Sequence, residues 1–209
     1  MCGVKLRGIH FLLIILVLCF VAPWKGQIKK MRVITGKARG RKLRQPENMD
    51  IRPTTDVVKE ALFNIIQFDI EGRRVLDLFA GTGQLGIEAL SRGAASAVFV
   101  DESNAAGKII RENLEHCGLE GQVVRSDALS FLERGGRFDL IFIDPPYDTE
   151  LLGKALEKII KFDILSYGGI IICETRKETE ILSIPEPYFM GKEYKYGKIK
   201  LVVCGRHPD

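Results

Sequence analysis

The period of apolar positions changes along the chain and orders it into elements. Residues 31–35 (MRVIT) read as a short strand, and Gly36 to Arg44 as a glycine-punctuated basic stretch. Pro53 and the Thr54-Thr55-Asp56 cluster form a helix-start signal. Apolar residues at 57, 58, 61, 62, 65 and 66 then give one helical face. From residue 73 the chain alternates. Strand-like apolar runs at 74–79, 96–100, 122–124, 138–143 and 168–173 are separated by helix-length segments near 84–92, 103–117, 127–133 and 150–162. This alternation predicts βαβ units, right-handed crossovers and a mostly parallel α/β sheet with helices on both faces. The end differs: 188–195 and 198–204 meet around Gly197 as a hairpin, so an antiparallel pair closes the sheet.

The first thirty residues stand apart from this pattern. Phe11 to Ala22 is an unbroken apolar run of twelve behind Lys5 and Arg7, and it ends in Pro23, Trp24 and Lys25 with no small-x-small cleavage site. A membrane span wants about 20 apolar residues, whereas the apolar region of a signal peptide has this shorter length. Three readings stand: an extension from a start site placed too far upstream, a membrane anchor or uncleaved signal, and a packed N-terminal helix. All three leave 1–30 outside the catalytic fold, and they make 31–209 one domain whose first part, 31–46, is a basic arm.

Composition narrows the class. With 209 residues, 46% apolar and 28% charged, the chain suits one domain with a full core and excludes disorder, collagen and coiled coil. Its five cysteines (Cys2, Cys19, Cys117, Cys173, Cys204) form no C-x-x-C pair, and there are three histidines. Neither a disulfide framework nor a zinc site is written here, and the thiols fit a reducing compartment. Cys173 and Cys204 fall in strand runs and read as small core residues; His116 and His207 show no partner pattern. The net charge of +4 hides an asymmetry. Residues 1–46 carry 11 Lys/Arg and no acid, and the remainder holds the other 20 against all 27 acids. An acidic body with a basic leader points to a polyanion bound near the start of the chain.

In an open parallel sheet, ligands bind beyond the carboxyl ends of the strands. After the first strand comes Asp77-Leu78-Phe79-Ala80-Gly81-Thr82-Gly83-Gln84-Leu85-Gly86, a G-x-G-x-x-G loop, and Asp101 closes the second strand twenty residues after Gly81. Both features fit a nicotinamide dinucleotide site, or a turn that needs glycine only for its backbone angles. S-adenosylmethionine uses the same crevice and the same ribose-binding acid but carries no pyrophosphate. Asp77, a carboxylate inside an apolar strand, favours that cationic ligand and repels a pyrophosphate.

The deciding motif follows the fourth strand: Asp144-Pro145-Pro146-Tyr147. Two prolines cannot continue a central strand, so the chain turns out at the sheet edge and stiffens there. Methyl transfer to an exocyclic amine needs such a turn, because the nitrogen lone pair is delocalised into the ring. A carboxylate and a carbonyl, from Asp144 and Pro145, can hold both N–H bonds, aim the lone pair at the methyl group and stabilise the developing positive charge. Tyr147 offers a face on which a flipped-out base stacks.

This motif matches the (N/D)-P-P-(Y/F) signature of amino-group methyltransferases. The loop from Asp77 to Gly83 with Gly86-Ile87-Glu88-Ala89-Leu90-Ser91-Arg92-Gly93-Ala94 is more specific still. So are Arg52-Pro53-Thr54-Thr55-Asp56 and Met31-Arg32-Val33-Ile34-Thr35-Gly36 with Gly40-Arg41-Lys42-Leu43. Together they resemble the RsmD family of bacterial 16S rRNA guanine-N2 methyltransferases over about residues 31–204. The resemblance implies a class I methyltransferase fold with a Rossmann-like sheet, S-adenosylmethionine as donor, and one guanine of small-subunit rRNA, position 966, as acceptor. It implies a cytoplasmic enzyme acting on 16S rRNA or an assembling small subunit, with no metal and no obligate protein partner.

Carried over by position, Phe79, Ala80, Gly81, Thr82 and Gly83 wrap the methionine part of the donor, beside Asp77. Asp101, with Glu102 as its neighbour, binds the ribose, and Asp127-Ala128 contacts adenine, unless Asp127 is simply a helix N-cap. Arg52 and Thr54 either line the site or only start a helix. Arg39, Arg41 and Lys42, within a run that also holds Arg32, Lys37 and Arg44, have the composition of a phosphate-binding arm. The rivals are a DNA adenine-N6 methyltransferase with the same D-P-P-Y chemistry, a nicotinamide-dependent oxidoreductase, and a non-catalytic rRNA-binding module.

Overall fold

The computed structural model describes residues 31–46, 54–147, 149–181 and 183–208. Residues 1–30 lie outside the described residues, as do Arg52 and Pro53. Helix α1 spans Thr54–Ile65 and leads to the first strand, β1 (Arg74–Leu78). There follow α2 (Gln84–Ser91), β2 (Ser96–Asp101), α3 (Asn104–Cys117), β3 (Gln122–Arg125), α4 (Ala128–Leu132), β4 (Phe138–Ile143) and α5 (Leu151–Lys161). Three strands end the chain: β5 (Leu165–Arg176), β6 (Tyr188–Tyr196) and β7 (Ile199–Arg206). The seven strands form one sheet in the order β3-β2-β1-β4-β5-β7-β6. The first five are parallel, and β7 runs antiparallel to both β5 and β6. The predicted alternation and terminal hairpin are thus present, with the topological switch point between β1 and β4.

Period-two burial builds two cores. Val75, Leu140, Phe142, Ile172 and Leu201 face one side, where they meet Val58, Leu62 and Phe63 of α1 and the buried side of α2 and α3. Leu76, Leu78, Ile141, Ile143 and Cys173 face the other, covered by α4 and α5. Phe63 packs against Phe142 with ring centroids 5.7 Å apart. Cys173 and Cys204 are fully buried, as expected of small core residues. Val57, counted on the apolar face of α1, is instead exposed, and Phe63 takes its place in the core.

Two expectations are corrected here. Residues 31–35 join no strand of the sheet: they form a small hairpin closed by the isolated bridge Arg32↔Lys42, with Val33 N donating to Arg41 O at 2.9 Å and Leu43 N to Met31 O at 2.9 Å. The alternating pattern is real, but Val33 and Leu43 bury against helices α1–α3 rather than between strands. Strand β5 begins at Leu165, earlier than its apolar run, because a register shift between Phe138 and Leu140 lets it continue through Gly168. His207, which has no partner in the sequence pattern, lies 3.6 Å from Glu186 and against the Phe189 ring.

Candidate active site

A cleft of about 660 Å3 opens beyond the carboxyl ends of β1 to β5, across the switch point. Each strand delivers residues to it through the loop that follows. From β1 come Asp77, Phe79, Ala80, Gly81 and Thr82; from β2, Asp101 and Glu102; from β3, Asp127 and Ala128. Asp144, Pro145, Pro146 and Tyr147 line it after β4. Gly83, predicted as a cleft residue, is not on the wall. It adopts a left-handed conformation (φ 75) as the N-cap of α2, and its N–H donates to Ala80 O at 2.7 Å.

The loop after β1 is held in a strained form. Phe79 has φ 66, a conformation that costs a bulky residue free energy and persists only where surroundings enforce it. Here Ala80 N donates to Val100 O at 2.9 Å, and Gly81 N to the Asp101 carboxylate at 2.9 Å. The second Asp101 oxygen accepts from Ser103 N at 2.9 Å. Asp101 therefore shapes the glycine loop as well as facing the cleft. Inside the sheet, Asp77 accepts from Gly86 N in the first turn of α2 at 2.8 Å. A dinucleotide pyrophosphate would need that helix N-terminus, but a buried carboxylate already fills it. Gly86 must also be glycine, since a Cβ would lie 2.3 Å from the Phe99 ring. Asp127 caps α4 by accepting from Ser130 N at 2.8 Å while also bordering the cleft, so both readings of it hold as geometry.

Acids dominate the electrostatics. Asp77, Asp101, Glu102, Asp127, Asp144 and Glu174 line the cleft, and among the described lining residues there is no Lys, Arg or His. Burial first, and the Asp101 charge second, push the Asp77 carboxyl up to about 7 against the opposing Gly86 hydrogen bond. Burial, then Glu174 and Asp77, hold Asp144 well above the usual carboxylate range. Burial also raises Glu174, opposed by a hydrogen bond from the Tyr147 hydroxyl at 2.8 Å. Three crowded, desolvated carboxylates are relieved by a cationic ligand and made worse by an anionic one. S-adenosylmethionine, with a sulfonium and an ammonium, fits this wall; a pyrophosphate does not.

Beyond Ile143 the two prolines end β4 as predicted, and the turn carries Asp144 to the cleft, where its carboxylate accepts no hydrogen bond from the described residues. The Tyr147 ring is half-buried, and the Arg176 guanidinium stands 5.6 Å from its centroid, so a base stacking on Tyr147 shares the ring with that side chain. Glu174 was not singled out from the sequence. A lone acid in the apolar run before Thr175-Arg176 was its only signal.

The basic arm lies on the neighbouring surface. Met31, Val33, Ala38 and Leu43 point inward, and Arg32, Lys37, Arg39, Arg41, Lys42 and Arg44 point to solvent. Among the described residues Arg44 pairs with Glu112 at 2.8 Å, whereas Arg39, Arg41 and Lys42 make no ion pair. Buried Asn113 connects arm and loop: it accepts from Arg44 N at 2.7 Å and donates to Thr82 O at 3.0 Å. Arg52 and the Thr54 side chain lie outside the described residues, so neither reading of them is decided. Among the described residues no helix is long and apolar enough to cross a membrane, and no group of His, Cys, Asp and Glu has the makings of a metal site.

Comparisons with known proteins agree with this geometry. Residues 31–205 match the family described as conserved hypothetical protein 95. The chain is 40% identical to YlbH of Bacillus subtilis over 173 residues, covering 80% of this chain and 94% of that protein. It is 35% identical to ribosomal RNA small subunit methyltransferase D of Escherichia coli K12 over 172 residues, covering 81% and 87%. Among solved structures, YhhF of Escherichia coli superposes with a TM-score of 0.77 at 31% identity, over 86% of this chain and 99% of that one.

Proposed function

Since the chain belongs to the RsmD family, the conserved hypothetical protein 95 group, we propose that it methylates the exocyclic N2 amine of a guanine in 16S rRNA, at position 966. The fold is the class I methyltransferase fold, and S-adenosylmethionine is the methyl donor. The observation that carries the reading is the Asp144-Pro145-Pro146-Tyr147 turn set beside a cation-seeking cleft. The relatives' name supports rRNA as substrate, and such a substrate supports a cytoplasmic location.

Bound in the cleft, the donor supplies an electrophilic methyl group. Asp77 would face its ammonium, the loop from Phe79 to Thr82 would surround its methionine part, Asp101 and Glu102 would meet its ribose, and Asp127 and Ala128 would border its adenine. Asp144 and the Pro145 carbonyl accept the two N2 hydrogens and fix the lone pair toward the methyl carbon. The Asp144 carboxylate would stabilise the positive charge that N2 acquires on methylation and would take the proton it then releases.

Nucleoside mass spectrometry of small-subunit rRNA and of genomic DNA from a strain lacking the gene tests this. Loss of N2-methylguanosine is expected; loss of N6-methyladenine from DNA instead would favour the adenine rival.

Two further results are expected. Because Asp77 titrates near 7, S-adenosylhomocysteine should bind more tightly as pH rises from 6 to 7.5, where the carboxylate becomes ionised to meet the ammonium. The sign for folding is opposite. A carboxyl raised above its unfolded value stabilises the empty protein fully in acid and loses that contribution as pH rises through about 7. Asp77→Asn should flatten both dependences, read by calorimetry and by thermal melts. For the arm, replacing Arg39, Arg41 and Lys42 by Ala should weaken RNA binding and lower its log–log salt slope by about 0.7–0.9 per lost phosphate contact, with donor affinity unchanged. An unaltered slope would reduce the arm to a solvated surface.

A further inference from the structure

We infer that Glu174 selects guanine, its carboxylate accepting the N1–H of the acceptor base while Asp144 and the Pro145 carbonyl hold the N2 hydrogens. The inference rests on the guanine-N2 reading above and adds a residue that decides which base is accepted.

Strand register brings the two acids together. Ile143 of β4 pairs with Cys173 of β5, the last pair of that parallel ladder, so Asp144 and Glu174 are the next residues on adjacent strands. Both follow the parity of Phe142 and Ile172, on the side of the sheet that α1 to α3 cover, and both line the cleft. Adjacent strands lie about 4.8 Å apart, a spacing over which neighbouring carboxylates can meet neighbouring donors on one planar edge. Guanine presents such an edge: its ring N1–H and one of its two exocyclic N2 hydrogens point the same way. Adenine presents N1 as a bare acceptor, whose lone pair would face a carboxylate.

The surroundings fix Glu174 for this task. The Tyr147 hydroxyl donates to its Oε1 at 2.8 Å, which sets the side-chain rotamer and leaves Oε2 for a second donor. Tyr147 belongs to the same rigid turn as Asp144, so the stacking ring, the amine acceptor and the N1 acceptor share one scaffold. A site built to pair with a substrate N–H rejects the analogue without it strongly, because the buried acceptor is left unpaired.

The test uses small subunits reconstituted with 16S rRNA that carries either guanine or 2,6-diaminopurine at the acceptor position. Diaminopurine keeps the N2 amine and lacks the N1 hydrogen. The wild-type enzyme is expected to prefer guanine by about tenfold or more in kcat/KM. Glu174→Gln keeps an acceptor for the Tyr147 hydroxyl and turns an amide N–H toward N1, so the preference should collapse or reverse. Tyr147→Phe, which keeps the ring and frees Glu174, should narrow the preference, and it serves if the Gln variant does not melt cooperatively. Equal use of both bases by the wild type would overturn the inference, as would variants that slow both substrates alike, since Glu174 would then act only by steadying Tyr147. If the wild type leaves the guanine subunit unmethylated, the guanine-N2 reading itself falls, a distinct result.

Discussion

Asp144→Ala is expected to lower kcat by about 10^2–10^4-fold, the range for losing a positioned proton acceptor that also stabilises transition-state charge. Affinity for S-adenosylhomocysteine should stay close to normal if, as proposed, Asp144 serves the acceptor while the β1 loop and Asp101 hold the donor. Asp144→Asn should retain more activity than the alanine variant, since an amide oxygen still accepts one N–H. The pH profile separates them further. Burial and the neighbouring acids hold the Asp144 carboxyl well above its ordinary range, so wild-type kcat should climb as pH rises and the carboxylate ionises, whereas the asparagine variant has no such group to titrate. Asp101→Ala is the complementary case. It removes the acceptor of Gly81 N–H and, in the proposed arrangement, a charge-assisted contact to the ribose, and a hydrogen bond to a charged group is worth about 1.5–3 kcal/mol. Donor affinity should fall roughly tenfold or more, by the same conversion of free energy. Calorimetry showing the donor lost in Asp144→Ala and kept in Asp101→Ala would reverse both assignments.

How much of this site stands in the sequence depends on the distance over which each residue acts. Strand ends and the residues after them are local features. Asp77, the glycine loop, Asp101, Asp127 and the Asp-Pro-Pro-Tyr turn could be read because strand-then-turn is a pattern within ten residues, and the fold rule for parallel sheets carries each to one edge. What links elements far apart in the chain left no such trace. Glu174 becomes part of the site only through the register of β5 on β4. Met31 and Gln45 reach the cleft wall because the arm folds back over the loop, with the Thr82 hydroxyl 3.4 Å from the Met31 sulfur. The strand reading of residues 31–35 fails for the same reason. Met31 and Val33 on either side of Arg32 give the pattern of a half-buried segment, and periodicity does not say whether the burying surface is a sheet or a helix. Gly83 lies off the cleft wall for a different reason: a glycine in a binding motif can also serve the helix behind the loop.

The residue whose loss should harm folding most is Glu88, which the sequence placed in a matching stretch without giving it a task. Every residue of α2 from Leu85 to Ser91 is buried, and an acid in so apolar a helix is costly unless it is paired. Glu88 is fully buried and supplies acceptors to two separate elements. Its carboxylate takes the N–H of Ile34 at 2.7 Å and of Thr35 at 3.0 Å in the arm, and Arg92 Nε at 2.8 Å one turn on. The nearly buried Lys59 of α1 stands 3.7 Å away and donates to Arg32 O at 2.7 Å. Beside it, Ser91 Oγ donates to Thr35 O and accepts from Ala38 N, and Gly36 sits so close that a Cβ would fall 1.8 Å from Ser91 O. The arm is therefore clamped to α2 at three consecutive points, with no strand pairing to replace them. Removing one partner of a buried pair leaves the other charge uncompensated and costs about 3–5 kcal/mol. For a domain of this size each kcal/mol lowers Tm by about 2–4 °C, so Glu88→Ala should melt about 6–20 °C below the wild type. Below that melt, hydrogen exchange should quicken at Ile34 and Thr35 first, and RNA affinity should fall together with its salt slope because the arm's cations lose their fixed positions. A variant with an unchanged melt and unchanged exchange at those two amides would mean that Glu88 is not needed to dock the arm, its apolar side chains and the Ser91 and Asn113 hydrogen bonds being sufficient.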